Sequence, residues 1–223
     1  MAHVSRKLWP AGIALSAVVV AGVLAAGRLA PGRVSGQTSQ DRIDCVCRLA
    51  DEKGRSAGDA IAACASGDAD PAVRAVAMKA LANVAAPSHR AIVEKGLEDR
   101  DAGVRAAAAM TLGRFDDEPA ARRLGRVLRG GEEEAVLLAA VAGLCRQTTD
   151  AALRELVEAA ELNRYPAVRR QALAGALERI GMGYDGTARP EDPAAWSRLM
   201  ARVKKMARVR KAMENTAARE QIP

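Results

Sequence analysis

The chain has 223 residues, 49% of them apolar but only 2% aromatic, and a formal net charge of +7. That apolar share supports a buried core. Its makeup, almost entirely Ala, Leu and Val, argues against a β-sandwich or barrel, whose strands draw on alternating β-branched and aromatic residues. Only His89 follows the N-terminal segment, which leaves too few imidazoles for a His-rich metal site, and the positive charge permits attraction to anionic surfaces without naming a partner.

Residues 1–27 read as an address. Arg6 and Lys7 precede residues 8–26, nineteen positions without a charge, close to the roughly 20 that cross a bilayer as a helix. The same layout fits a cleaved signal peptide ending at the small residues Ala25, Ala26 and Gly27. The expectation is a domain outside the cytoplasm, anchored in the membrane and facing the periplasm, or secreted if the segment is removed. Residues 28–55 open with a Gly-, Ser-, Pro- and Gln-rich stretch and read as a flexible linker.

Residues 56–181 are periodic. Four segments align: Asp70-Pro-Ala-Val73-Arg74, Asp101-Ala-Gly-Val104-Arg105, Glu133-Glu-Ala-Val136-Leu137 and Tyr165-Pro-Ala-Val168-Arg169. Their valines are 31, 32 and 32 residues apart, and alanine stands four places after each, at Ala77, Ala108, Ala140 and Ala172. Leucine follows eight places after three of them, at Leu81, Leu112 and Leu144, with Leu177 one place later in the fourth. Positions i, i+4 and i+8 share one helix face. Asp70 and Asp101 stand where a helix N-cap accepts orphan N–H groups, and Pro71 and Pro166 fit a first turn, where a missing N–H costs nothing. Between these helices, residues 57–66, 88–98, 118–129 and 150–162 each place apolar side chains on one side. Each unit is a helix–turn–helix of about 32 residues that cannot bury its stripe alone, so units must stack.

The Asp-x-x-Val-Arg segment followed by Ala-Leu resembles the HEAT repeat, in the short variant of the phycobilisome-lyase-like proteins. The resemblance covers about residues 56–181; the third copy lacks both the aspartate and the arginine. It implies an all-α, armadillo-type α-solenoid of about four helix pairs, with the repeat arginines Arg74, Arg105 and Arg169 serving mainly packing and capping.

Residues 182–223 begin with helix breakers. Asp192-Pro193 then starts an amphipathic helix of about 25 residues that places Trp196, Leu199, Met200, Val203, Met206 and Met213 on one face. Arg202, Lys204, Lys205 and Arg208 fall in the basic stretch 202–211. This helix reads as a cap on the stack, and the basic stretch as a surface for an acidic protein, an anionic membrane or nucleic acid.

Cys45-x-Cys47 is too tightly spaced for a zinc hairpin. In an exported chain Cys64 has the option of a disulfide with Cys45 or Cys47, while Cys145, beside Leu144, reads as a small core residue. No catalytic, cofactor-binding or metal-ligating set can be assembled around one imidazole. The expected function is a non-catalytic scaffold that binds a protein along the second helices of the pairs, with Lys79, Asn83, Arg105 and Arg170 as exposed groove positions. A phycobilin-lyase-like enzyme subunit and a basic solenoid binding nucleic acid are the alternatives.

Overall fold

The computed structural model describes residues 38–52, 55–84, 87–182 and 190–220. The membrane or signal segment expected over residues 1–27 lies outside them, and among the described residues no helix is long and apolar enough to cross a membrane.

The described residues form helices and no strand. In chain order these are α1 (Ser39–Glu52), α2 (Arg55–Gly67), α3 (Pro71–Val84), α4 (Arg90–Gly96, entered through a 3-10 turn at Pro87–His89), α5 (Ala102–Leu112) and α6 (Glu118–Arg129). They continue with α7 (Glu134–Cys145), α8 (Asp150–Leu162), α9 (Pro166–Arg179) and α10 (Pro193–Glu220). The odd-numbered helices pack side by side as one layer, and the even-numbered helices lie against them as a second. This is a short α-solenoid, one helix longer at its start than the sequence reading.

The extra helix corrects the reading of residues 28–55 as linker, because Ser39–Glu52 is helical. The Thr38 hydroxyl accepts a hydrogen bond from the Asp41 amide, and the Asp41 carboxylate accepts from the Thr38 amide, a reciprocal cap that starts the helix. Thr38…Asp41-Arg42 stands 32 residues before Asp70…Val73-Arg74, so α1 is a further copy of the repeat. With Asp41 in place of the valine and few apolar residues around it, the copy escapes a search by hydrophobic period.

The repeat stripe is the core. Val73, Val104, Val136 and Val168 are buried, as are the four alanines that follow them and Leu81, Leu112, Leu144 and Leu177. The small side chains let the first helices approach closely. A Cβ on Gly113 would lie 2.4 Å from the Gly143 Cα, so α5 and α7 meet backbone to backbone. In the second layer the Glu155 side chain fills the space beside Gly125, between α6 and α8. The aspartates cap as expected: Asp70 accepts from the Ala72 amide, Asp101 from Val104 and Asp117 from Ala120.

Arginines lock the joints between pairs. Arg42 donates to both oxygens of Asp68, and Arg74 to both oxygens of Asp99. Arg105 donates to Glu132 at 2.9 Å and to the carbonyls of Asp99 and Arg100. In the copy without an arginine, Leu137 takes its place, and the position that would supply the carboxylate is Asn163, whose amide donates to the Leu128 carbonyl. Arg169 closes the series by donating to the Ala160 carbonyl and lying over the Trp196 ring. Arg105, expected in a binding groove, is thus half-buried in a joint.

The first half of α10 seals the stack. Trp196, Met200 and Val203 are buried, and the Trp196 indole donates to the Ala160 carbonyl at 3.0 Å. Met206 and Met213, expected on the same stripe, are exposed. At 100° per residue they fall on the flank of the helix, outside the arc that faces α8.

A candidate protein-binding groove on the first-helix layer

Lys79 and Asn83 share the exposed side of the last turns of α3. The same register in the next copy gives Met110 and Arg114, and in the third it gives Ala142 and Arg146. Repetition therefore lines up Asn83, Arg114 and Arg146, with Lys79, Met110 and Ala142 beside them, across three helices. Between them runs a groove of about 370 Å³, floored by Ala82 and Thr111 and edged by Lys79, Met110, Arg114 and Arg146. The Thr111 hydroxyl donates to the Met78 carbonyl at 2.8 Å, and the residue is buried beneath the groove. Met110 is 47% exposed at the groove's edge.

Among the described residues the cations lining this groove have no carboxylate partner. Among the described residues neither Lys79 nor Arg146 has an ion-pair partner, and Arg114 donates to the Ala82 carbonyl instead of to a carboxylate. Asp116, at the groove's end, is occupied by the amide and hydroxyl of Thr148, and the Thr148 hydroxyl holds its carboxyl below the usual carboxylate range. Several arginines of the second-helix layer are paired instead, although Lys95 and Arg126 are exposed without an ion pair among the described residues. There Arg122 pairs with Glu118, Arg123 with Glu98, and Arg129 with both Glu155 and Glu158.

Helix α7 adds apolar surface to the first-helix layer. The α7 sequence EAVLLAAVAGLC is apolar around its whole circumference, a pattern suited to a helix covered on every side. Yet Leu138 and Ala142 are only partly buried, and Cys145 is exposed. Cys145 is therefore not the core residue expected; Gly175 on α9 leaves the room its sulfur occupies.

The structure brings two expected site residues together, Lys79 and Asn83. All four groove positions proposed from the sequence lie on first helices, which does not agree with a partner held along the second ones. Arg170 is exposed on α9 and pairs with Glu191 at 2.9 Å. Arg202, Lys205 and Arg208 are exposed on α10, and Lys204 pairs with Glu161. Met110, Arg114 and Arg146 went unrecognised, although carrying the register of Lys79 and Asn83 through the period locates them.

The four cysteines are free thiols. Cys45 and Cys64 sit on the packed helices α1 and α2, and burial pushes the Cys64 thiol up from its ordinary range. His89 is buried with its Nε2 3.1 Å from Asp59. Among the described residues no group of three His, Cys, Asp or Glu is placed to hold a metal.

Residues 58–131 match the family model described as HEAT repeats. These are HEAT repeats. The helix pairs continue the same packing beyond the matched segment, through α10. Among solved structures the HEAT stack is similar to a chain in the complex of CpcE and CpcF of phycocyanin lyase from Nostoc sp. PCC7120, with 19% identity, a TM-score of 0.56, and coverage of 86% of this chain and 72% of that one. At that identity the likeness is one of fold. No curated protein matches the chain.

Proposed function

We propose that the HEAT stack is a non-catalytic adaptor that binds a protein partner across the first-helix layer, with the groove edged by Lys79, Met110, Arg114 and Arg146 as the contact. The observation that carries this reading is the groove itself. It sets an apolar, small-residue surface beside Lys79, Arg114 and Arg146, cations that no carboxylate pairs among the described residues, whereas Arg122, Arg123 and Arg129 on α6 are paired. Such a face suits a partner with an apolar surface and an acidic edge. The neighbouring fold comes from a complex of two proteins, which supports pairing with another chain. The uncharged residues 8–26 support a tether or export signal that would hold the adaptor at or beyond a membrane.

The test is photo-crosslinking in intact cells of the native host, with a photoreactive residue at Met110 in the full chain. One dominant protein adduct, lost with Arg114→Glu and Arg146→Glu, is expected. Adducts that form equally in those variants, or that arise instead from Arg122 on α6, would refute the assignment. A purified chain that turns over a tetrapyrrole substrate would move the protein to the alternative lyase-like reading.

A further inference from the structure

Helix α10 has 28 residues, twice the length of most others in the stack, and spans roughly 42 Å at 1.5 Å per residue. Only its first half is consumed as a cap. Of the five large apolar side chains exposed among the described residues, three lie on its second half: Met206, Val209 and Met213. Successive angles of 100° place them, with the half-buried Leu199, on one flank beside the arc that packs on α8. This is the flank against which a following helix pair would stack, and no described helix occupies it.

Charge narrows the occupant. From Pro193 to Met213 there are seven Lys and Arg and no Asp or Glu. Lys204 is neutralised by Glu161, and Lys211 lies 3.9 Å from Asp150. Arg198, Arg202, Lys205 and Arg208 are exposed without an ion pair among the described residues. A second copy of α10 would set like charges against one another, which costs affinity. The stripe has no aromatic residue, because Trp196 is spent inside the stack, and methionine and valine alone give a bilayer little to insert. Methionine suits a protein surface, since its unbranched, polarisable side chain adapts to the shape it meets.

We infer that the open flank of α10 is a second docking surface, and that it takes an acidic amphipathic helix from another protein, stacked as the next helix of the solenoid. Apolar residues of the incoming helix cover Leu199, Met206, Val209 and Met213, and its carboxylates meet Arg202, Lys205 and the neighbouring cations. The surface is separate from the first-helix groove and stands or falls independently of it.

The experiment measures binding of the detergent-solubilised full chain to a fluorescent peptide helix with a leucine face flanked by glutamates. A peptide with lysines replacing the glutamates serves as control. The acidic peptide is expected to bind and the basic one not. Met206→Asp or Met213→Asp should weaken binding by about tenfold or more, which corresponds to about 1.4 kcal/mol, while leaving the unfolding midpoint unchanged. Arg114→Glu and Arg146→Glu should leave this binding intact. No binding, equal binding of both peptides, or indifference to Met206→Asp overturns the inference. So does loss of affinity for phosphatidylglycerol vesicles in Met206→Asp without loss of peptide binding, which would make the occupant a bilayer.

Discussion

The Arg74 guanidinium holds the Asp99 carboxylate with two parallel hydrogen bonds, at 2.9 and 2.8 Å, across the joint between successive helix pairs. Arg74 also donates to the carbonyls of Asp68 and Ala69, and only 5% of its surface reaches solvent. Removing one partner therefore strands a charge and two carbonyls. Arg74→Leu should cost about 3 kcal/mol, the range for breaking a buried pair from one side. The molecule itself displays a neutral solution at the equivalent joint, where Leu137 and Asn163 take the two places. The double replacement Arg74→Leu with Asp99→Asn should accordingly recover a large part of the loss. Urea unfolding of the two single variants and the double closes the cycle; additive losses would show that the pair is not coupled.

The acid limb of stability follows from the same carboxylates. Asp99 is held below the usual range chiefly by its hydrogen bond from Arg74, Asp117 by that from Arg90, and Asp116 by that from Thr148. Because these folded-state values are depressed, the unfolded chain takes up protons first as pH falls. Their contribution is complete above about pH 4, the ordinary carboxylate value, and is lost as pH drops through the folded values. The midpoint of urea unfolding should fall steeply below that point and be flatter in Asp99→Asn. A wild type and variant with parallel acid limbs would remove Asp99 from the account.

Much of this was legible in the chain. Val73, Val104, Val136 and Val168 announced their helices because the buried stripe must repeat whatever the rest of the helix does, and helices α6 and α8 fall where their apolar spacing placed them. The first helix was hidden because α1 is anchored by Thr38, Asp41 and Arg42, polar side chains whose meaning depends on Asp68 being 26 residues away. Arg105 was read both as a packing residue and as an exposed groove position, and only the first agrees with its place in the joint; an arginine in a joint and an arginine at a groove have the same local sequence. The groove itself needs three copies in register, so Met110 and Arg146 become neighbours only once the pairs are stacked.

Gly113 fixes the spacing of the first-helix layer. A Cβ there would stand 2.4 Å from the Gly143 Cα and 2.5 Å from its carbonyl oxygen, and backbone cannot rotate away. Gly113→Ala should destabilise by about 3 kcal/mol, the upper end of overpacking costs, and should open the groove between Met110 and Arg146. Gly131, with open space around it, is the control; Gly131→Ala should change stability by no more than about 1 kcal/mol. Thermal unfolding of both measures this, and comparable losses would mean that the close approach of α5 and α7 is not what the glycine protects.

Trp196 decides whether α10 is a cap or a free helix. Its ring is buried under the Arg169 guanidinium, 5.0 Å from the ring centre, and its N–H donates to Ala160, a carbonyl that Arg169 also reaches. Trp196→Ala removes the ring and exposes the end of α8, at an expected cost of about 4 kcal/mol. It should also convert α10 from protected to rapidly exchanging backbone amides, while those of α3 and α5 keep their protection. Trp196→Phe keeps most of the packing and the cation–ring contact but loses the donor; since Arg169 still satisfies Ala160, the loss should be nearer 1 kcal/mol. Hydrogen exchange separates the outcomes by helix. If Trp196→Ala loosens α3 as much as α10, the tryptophan supports the whole stack rather than sealing its end, because in a solenoid a local loss at one terminus should stay with its nearest neighbours.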